Sequence, residues 1–154
     1  MKKLYHNPHI WHYIAFGLSI FGLLVATYLW YEYQQPTDIG CALQGCQTVR
    51  ESIYAKFMGI DVPIFGIVYY LLNSIYITSL LIERRRFRYE ILLFVAFNFT
   101  GALVSVYLTY LEVYVIEAIC QYCVMSAVAA ILLFIVSANF ITTYNKNDLS
   151  YAEA

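Results

Sequence analysis

Four stretches of the chain hold almost no charged or strongly polar side chains: Tyr13 to Trp30, Ile64 to Ile82, Ile91 to Leu111 and Val124 to Phe140. Roughly 17 to 25 apolar residues in a helix cross the hydrocarbon core of a bilayer. Inside that core the backbone must satisfy its own hydrogen bonds, which a helix does within one segment. The pattern therefore predicts an all-α membrane protein, a four-transmembrane-helix bundle. The first stretch runs directly into Tyr28, Trp30, Tyr31 and Tyr33 with no small-residue cleavage site, so it is expected to be an anchor, not a removed signal peptide.

Between the first two spans the pattern changes. The loop from Gln34 to Asp61 is too long for a simple connection and too short for a domain, so structure of its own is expected. After a turn region from Gly40 to Gly45, Cys46, Val49, Ile53 and Phe57 recur on one helical face, while Arg50, Glu51 and Lys56 supply polar positions. This predicts a short amphipathic helix on the membrane surface, ending near Gly59 and covering the outer end of the bundle. Cys46 would sit at the bundle mouth and Cys41 on a mobile, Gly-flanked segment. The expected organisation is a cytoplasmic N-terminal segment over 1–12, a four-helix domain over 13–140 and a cytoplasmic tail over 141–154.

With 62% hydrophobic and 12% charged residues among 154, the composition excludes an ordinary soluble globule. A net charge of -1 gives no basic field for nucleic acid, so no nucleic-acid partner is expected. Charge placement predicts orientation. Lys2, Lys3, Arg84, Arg85, Arg86, Arg88 and Lys146 fall on one side of the spans, leaving Arg50 and Lys56 on the other. Because retained segments keep the positive charge, both termini are expected in the cytoplasm. The tyrosines are read as interfacial belts near helix ends.

This topology puts all four cysteines on the extracytoplasmic side, Cys41 and Cys46 in the first loop, Cys120 and Cys123 at the start of the fourth span. That compartment is oxidising. Three pairings are possible, and sequence proximity favours Cys41 with Cys46 and Cys120 with Cys123. In Cys120-Gln121-Tyr122-Cys123 the cysteines stand at i and i+3, one face of a first helical turn. There the positive end of the helix dipole favours a thiolate, the nucleophile of disulfide exchange. Two disulfide-capable pairs on one face, one mobile and one at a helix start, suit the passage of electrons.

These residues carry a family resemblance: Cys46-Gln47-Thr48-Val49-Arg50-Glu51-Ser52, Tyr54-Ala55-Lys56-Phe57, Gly59-Ile60, Phe65-Gly66, Tyr69-Tyr70, and Ile119-Cys120-Gln121-Tyr122-Cys123 followed by Ser126. From about Tyr13 to Phe140 the chain resembles the vitamin K epoxide reductase family, in its bacterial, quinone-using, DsbB-like branch. The resemblance implies a four-helix bundle around a quinone, menaquinone or ubiquinone, that reoxidises a thioredoxin-like or DsbA-like disulfide carrier. It implies Cys41 and Cys46 as the shuttle pair, Cys123 as the cysteine beside the quinone, and Cys120 as the one exchanging with the loop. Ser52 matches the family serine that hydrogen-bonds near the active site, and Phe65 and Gly66 match the position packed near the quinone ring. Val62 and Ala127 stand where animal members carry asparagine and tyrosine, so epoxide reduction itself is not implied. Asp61 stands where many bacterial members have proline. About 14 residues follow Phe140, so the carrier is expected to be a separate protein instead of a fused domain.

Other polar positions read more plainly. Asn98, Thr100 and Ser105, with Gly101 and Ala102, are expected to serve helix packing. Glu112 and Glu117 could relay protons to a reduced quinone, but are read as interfacial acids. His6, His9 and His12 are taken as a cytoplasmic flank, and Arg84 to Arg88 as a topological signal. Two rival readings stand beside the oxidoreductase: an outward-facing cysteine site that binds or transfers a metal, and a non-catalytic membrane protein with two stabilising disulfides.

Overall fold

A computed structural model describes residues 8–35, 41, 45–82 and 88–152, with side chains described within 10–35, 41, 45–82 and 89–140. Lys2, Lys3, His6 and Arg84 to Arg86 lie outside the described residues, as do the side chains of His9, Arg88 and Lys146. Four long helices are present: α1 (Pro8–Gln34), α3 (Val62–Ile82), α4 (Arg88–Tyr114) and α5 (Gln121–Ala152), with a short α2 (Cys46–Glu51) between α1 and α3. The four contain apolar stretches of 25, 21, 26 and 20 residues, each long enough to cross a membrane. Their outer faces carry Leu24, Ile75, Leu93, Val106 and Val128, all exposed, as a lipid-facing surface requires. The chain is a multi-pass helical membrane protein. Helix α5 continues past Phe140 to Ala152, so the chain after the last apolar stretch stays helical that far.

Helix α1 packs against α3 and α5, and α4 packs against α5. Between α3 and α4 the backbones stand further apart, and aromatic side chains fill the space. Tyr76 stacks on Phe94 with ring centroids 4.3 Å apart, and Tyr69 lies 5.2 Å from Phe97. Tyr69 donates to Asn98 Oδ1 at 2.9 Å, and its ring lies over Gly101, where a Cβ would come within 2.6 Å of it. Helix packing was the expected role of Asn98 and Gly101, and they serve it. Tyr28, Tyr31 and Tyr114 lie near helix ends, where an interfacial belt would place them, but Tyr69, Tyr70 and Tyr76 sit within α3 and face inward. Their rings supply apolar bulk while each hydroxyl needs a partner in the low-dielectric interior. Tyr70, fully enclosed, donates to the Ser126 carbonyl at 2.6 Å and lies 3.0 Å from Ser126 Oγ.

Ser19, Ser74 and Asn98 are buried polar residues whose side chains donate to the carbonyl four residues earlier in their own helix. This is how mild polar groups are accommodated at helix contacts in a membrane. At the other end of the molecule from the cysteines, His12 stacks on Phe140 at 4.6 Å, joining α1 to α5.

The loop departs from expectation in its second half. The amphipathic helix expected to reach Gly59 ends at Glu51, because Ser52 turns extended (ψ 154°) and its Oγ donates to the Val49 carbonyl at 2.7 Å. That carbonyl is the one a continuing helix would have offered to the Ile53 amide. A 3-10 turn over Ile53–Ala55 follows, then two short strands, β1 (Lys56–Phe57) and β2 (Ile60–Asp61), paired antiparallel. Met58 (φ 52°) and Gly59 (φ 82°) form the two-residue turn, both in the left-handed region that such a hairpin demands. Ile53 and Phe57 consequently point away from Cys46 and are exposed. Asp61 accepts Lys56 Nζ at 3.5 Å across the hairpin and Gln34 Nε2 at 3.4 Å from α1, so its carboxylate ties the hairpin to the first helix.

Replacing Tyr70 by Phe keeps the ring and removes its hydroxyl. Loss of the bonds to Ser126 should destabilise the bundle by about 1 kcal/mol, read as a lower unfolding midpoint in detergent; an unchanged midpoint would show that this α3–α5 bond contributes nothing.

Candidate redox site

Helix α1 ends at Gln34 with carbonyls that its own helix cannot satisfy. Arg50 of α2 reaches them, Nη1 donating to the Glu32 carbonyl at 3.3 Å and the Gln35 carbonyl at 3.1 Å. A cation at a helix C-terminus is favourable, so this contact sets α2 across the end of α1. Helix α2 then turns Cys46 and Val49 inward, as its amphipathic pattern requires, and both are buried.

On the other side of the site, α4 ends in a tight turn. The Leu111 carbonyl accepts both Val115 and Ile116 amides at 3.0 and 2.8 Å, and the Glu112 carbonyl accepts Ala118 at 3.0 Å. Glu117 takes a left-handed φ of 55° to complete the reversal. Cys120 follows, its carbonyl accepting the Val124 amide at 3.0 Å, so it caps the start of α5 and Cys123 lies in the first turn. The predicted helix start is in place.

The two halves meet at one point. A Cβ on Gly45 would fall onto the Ile119 carbonyl oxygen and lie within 2.6 Å of the Ile119 nitrogen. Only glycine permits this approach of one backbone to another. It sets the residue before Cys46 against the residue before Cys120. Cys46, Cys120, Val49 and Leu29 form one buried cluster, with Cys41, Cys123, Tyr33 and Tyr122 packed against it. Cysteines from two remote parts of the chain are thereby gathered at one end of the bundle.

Cys41 and Cys46 are joined, S–S 2.06 Å, whereas Cys120 and Cys123 are thiols. The inner pair is hydrogen-bonded: the Cys123 thiol interacts with Cys120 sulfur. That bond, with backbone amides of Cys123 and Tyr122, holds the Cys120 thiol below its ordinary value against the opposing effects of burial and of Glu112. Cys120 is thus the better thiolate, and it is buried in the same cluster as Cys46.

Glu112 was read as an interfacial acid. Its position corrects that reading: only 4% of it is exposed, and Oε2 accepts the Cys120 amide at 3.0 Å. The carboxyl group also hydrogen-bonds the Cys123 thiol. Glu117, by contrast, is exposed. The available signal was an ionisable residue within the apolar stretch of α4, which is a functional candidate by default. Gly45 and Arg50 left no comparable signal, since what they contact is set only by folding.

The remaining candidates lie elsewhere. Ser52 ends α2, bound to Val49, and so steadies the helix that carries Cys46. Phe65 makes an edge contact with Phe57, centroids 6.0 Å apart, and Gly66 packs against Ala26 of α1. Neither belongs to the cysteine cluster. Among the described residues no group of three or more His, Cys, Asp or Glu side chains could hold a metal ion.

Residues 13–138 match the vitamin K epoxide reductase family. The chain belongs to this family. No individually curated protein matches it significantly. Family membership makes this vitamin K epoxide reductase family protein a membrane thiol-disulfide oxidoreductase, in a family that in general uses quinones and thioredoxin-like partners. The planar ring of a quinone suits apolar and aromatic walls. Next to Cys123 in sequence, the Tyr122 ring lies 5.1 Å from the Tyr28 ring of α1, and Tyr122, Leu29 and Ile116 belong to the cysteine cluster, apolar and aromatic groups of the kind that would hold such a ring.

Two outcomes follow from this geometry. Gly45→Val should displace α2 from Ile119 and slow electron exchange between the two cysteine pairs at least tenfold, while each pair remains reducible on its own; differential alkylation with mass spectrometry measures both. In a Cys41→Ser, Cys46→Ser background, Cys120 should form thiolate at a lower pH than an ordinary cysteine, because its deprotonated form is the one stabilised. Cys123→Ala, which removes the donor, should move that transition to higher pH, followed by thiolate ultraviolet absorbance.

Proposed function

We propose that this protein drives disulfide formation: it reoxidises a separate thioredoxin-like (DsbA-like) carrier and passes the electrons to a membrane quinone, menaquinone or ubiquinone, as in the DsbB-like bacterial branch of its family. The observation that carries this reading is the single buried cluster holding both cysteine pairs, one as a disulfide and one as thiols. In this reading the protein lies in the cytoplasmic (inner) membrane with both termini cytoplasmic and the cysteines outside. The four-helix domain spans 13–140, flanked by segments 1–12 and 141–154.

A thiolate of the reduced carrier attacks the Cys41–Cys46 disulfide, and a second carrier thiol resolves the mixed disulfide, so the carrier leaves oxidised. Cys41, only half-buried, is the sulfur open to the carrier. With the inner pair oxidised, the Cys46 thiolate attacks Cys120, Cys41 then closes the loop disulfide again, and the inner pair is left as two thiols, of which Cys123 would face a bound quinone. Ser52 and Gly45 hold Cys46 in place for that exchange. Phe65 and Gly66, at the start of α3, and the Tyr28 and Tyr122 rings would hold the quinone. When bound, it supplies a two-electron acceptor whose potential makes the flow one-way, since 30 mV is worth about 1.4 kcal/mol in a two-electron couple.

The metal-binding reading is the weaker one, because the Cys41–Cys46 bond removes two of the four ligands.

Pre-reduced protein in detergent, with chelator present throughout, should reduce menaquinone or ubiquinone. Cys123→Ser should abolish this. Cys41→Ala should retain a single turnover from the inner pair yet lose turnover with reduced carrier. No quinone reduction by the wild type, with chelation instead releasing a stoichiometric metal, would overturn the proposal.

A further inference from the structure

Glu112 is a carboxyl group enclosed at the end of α4, far from any water-exposed role, and the reaction as described above does not use it. It faces the inner cysteine pair: Oε2 accepts the Cys120 amide at 3.0 Å, and the carboxyl group also interacts with the Cys123 thiol. Capping a helix start needs only a neutral acceptor, and serine or asparagine supplies one cheaply. A buried ionisable side chain at that position is expensive to keep unless the charge or the proton is used.

We infer that Glu112 is a catalytic acid–base of this site, giving a proton to Cys123 sulfur when the Cys120–Cys123 disulfide is opened and taking it back when that disulfide forms. This rests on the exchange between the two pairs proposed above. Cys46 thiolate attacks Cys120 sulfur, the Cys46–Cys120 bond forms, and the Cys120–Cys123 bond breaks with its electron pair leaving on Cys123. In this enclosed, apolar cluster a free thiolate on Cys123 is costly, and the Glu112 carboxyl, already hydrogen-bonded to that sulfur, supplies the proton. Cys41 thiolate then attacks Cys46, closing the loop disulfide and expelling Cys120 as the thiolate its surroundings favour. Of the two protons that the loop thiols release, one reloads Glu112. The two electrons now reside on the inner pair. By microscopic reversibility Glu112 removes the Cys123 proton when the inner pair is reoxidised.

The titratable groups facing Glu112 are Cys120 and Cys123 at the start of α5 and Tyr33 from α1. Tyr33 is itself buried in the same cluster and adds no charge at neutral pH. Arg50, the basic side chain of α2, bonds the Glu32 and Gln35 carbonyls at the end of α1. Glu112 is the carboxyl group that interacts with Cys123.

Glu112→Gln keeps an oxygen to accept the Cys120 amide and removes the transferable proton. Fully oxidised, quinone-free protein in detergent is mixed with a dithiol, quenched with acid at intervals, alkylated and digested, and the labelling of the two cysteine pairs is followed by mass spectrometry across neutral and mildly alkaline pH. In the variant, reduction of Cys41–Cys46 should match wild type, while reduction of Cys120–Cys123 slows on the order of 100-fold with an altered pH profile. An inner pair reduced at the wild-type rate with the wild-type pH profile overturns the inference. Should wild type itself pass no electrons from the loop pair to the inner pair, the proposed function fails instead, which is a distinct result. A second measurement does not depend on the variant folding. With carbon-13-labelled glutamate, the infrared difference spectrum between oxidised and reduced wild type should contain a shifted glutamate carboxyl band; its absence contradicts proton transfer at Glu112.

Discussion

The contact between the Gly45 and Ile119 backbones is the constraint on which the redox end of this molecule depends. Disulfide exchange needs sulfurs brought into line within bonding reach, and a flexible loop alone would sample that arrangement rarely. Here the loop is not left free. Arg50 fixes α2 to the carbonyl end of α1, the Ser52 hydroxyl ends the helix at its second turn, and the missing side chain at Gly45 lets the whole element settle against the turn before α5. Each of these contacts is polar or steric, and each sits where apolar packing from the bundle gives way to hydrogen bonding. The same region holds the other unusual backbone features, the left-handed residues Met58, Gly59 and Glu117. Such conformations persist where surrounding structure enforces them.

Below this end, the bundle supplies rigidity by means suited to lipid. Its outside is as apolar as its core, so burial of hydrophobic surface does little to choose between helix arrangements. Selection falls to small residues that allow close approach and to hydroxyl and amide groups that need partners. Tyr69 with Asn98 and Gly101, and Tyr70 with Ser126, do this between helices. The Tyr70–Ser126 bond lies one turn beyond Cys123 on α5, so the same interaction that fixes α3 against α5 also fixes the helix that carries the inner thiols.

Much of this was legible in the sequence because a membrane imposes a simple rule on it. The four spans, the amphipathic start of α2, and a helix beginning beside Cys120 follow from periodicity and length. The local rules failed where competition between them was decided by one hydrogen bond or by a contact remote in sequence. Cys46, Val49, Ile53 and Phe57 share a helical face on paper, yet Ser52 takes the Val49 carbonyl and the last two turn outward. Tyr70 looks like any other tyrosine of an aromatic-rich chain until Ser126 is opposite it. Glu112 is eight residues before Cys120, a separation with no helical meaning, and only the reversal through Glu117 folds its carboxyl group back onto the Cys120 amide. Phe65 and Gly66 show the converse limit: a family pattern marks them, while the contacts described for them are with Phe57 and Ala26, outside the cysteine cluster.

The central claim is that Cys46 and Cys120 are direct exchange partners. It is tested most directly in a Cys41→Ser, Cys123→Ser double variant, where those two are the only cysteines left in the protein. Mild oxidation of the monodisperse protein in detergent, followed by non-reducing digestion and mass spectrometry, should yield an intramolecular Cys46–Cys120 crosslink in most molecules. A protein that stays as two free thiols, or links only between molecules, would contradict the account.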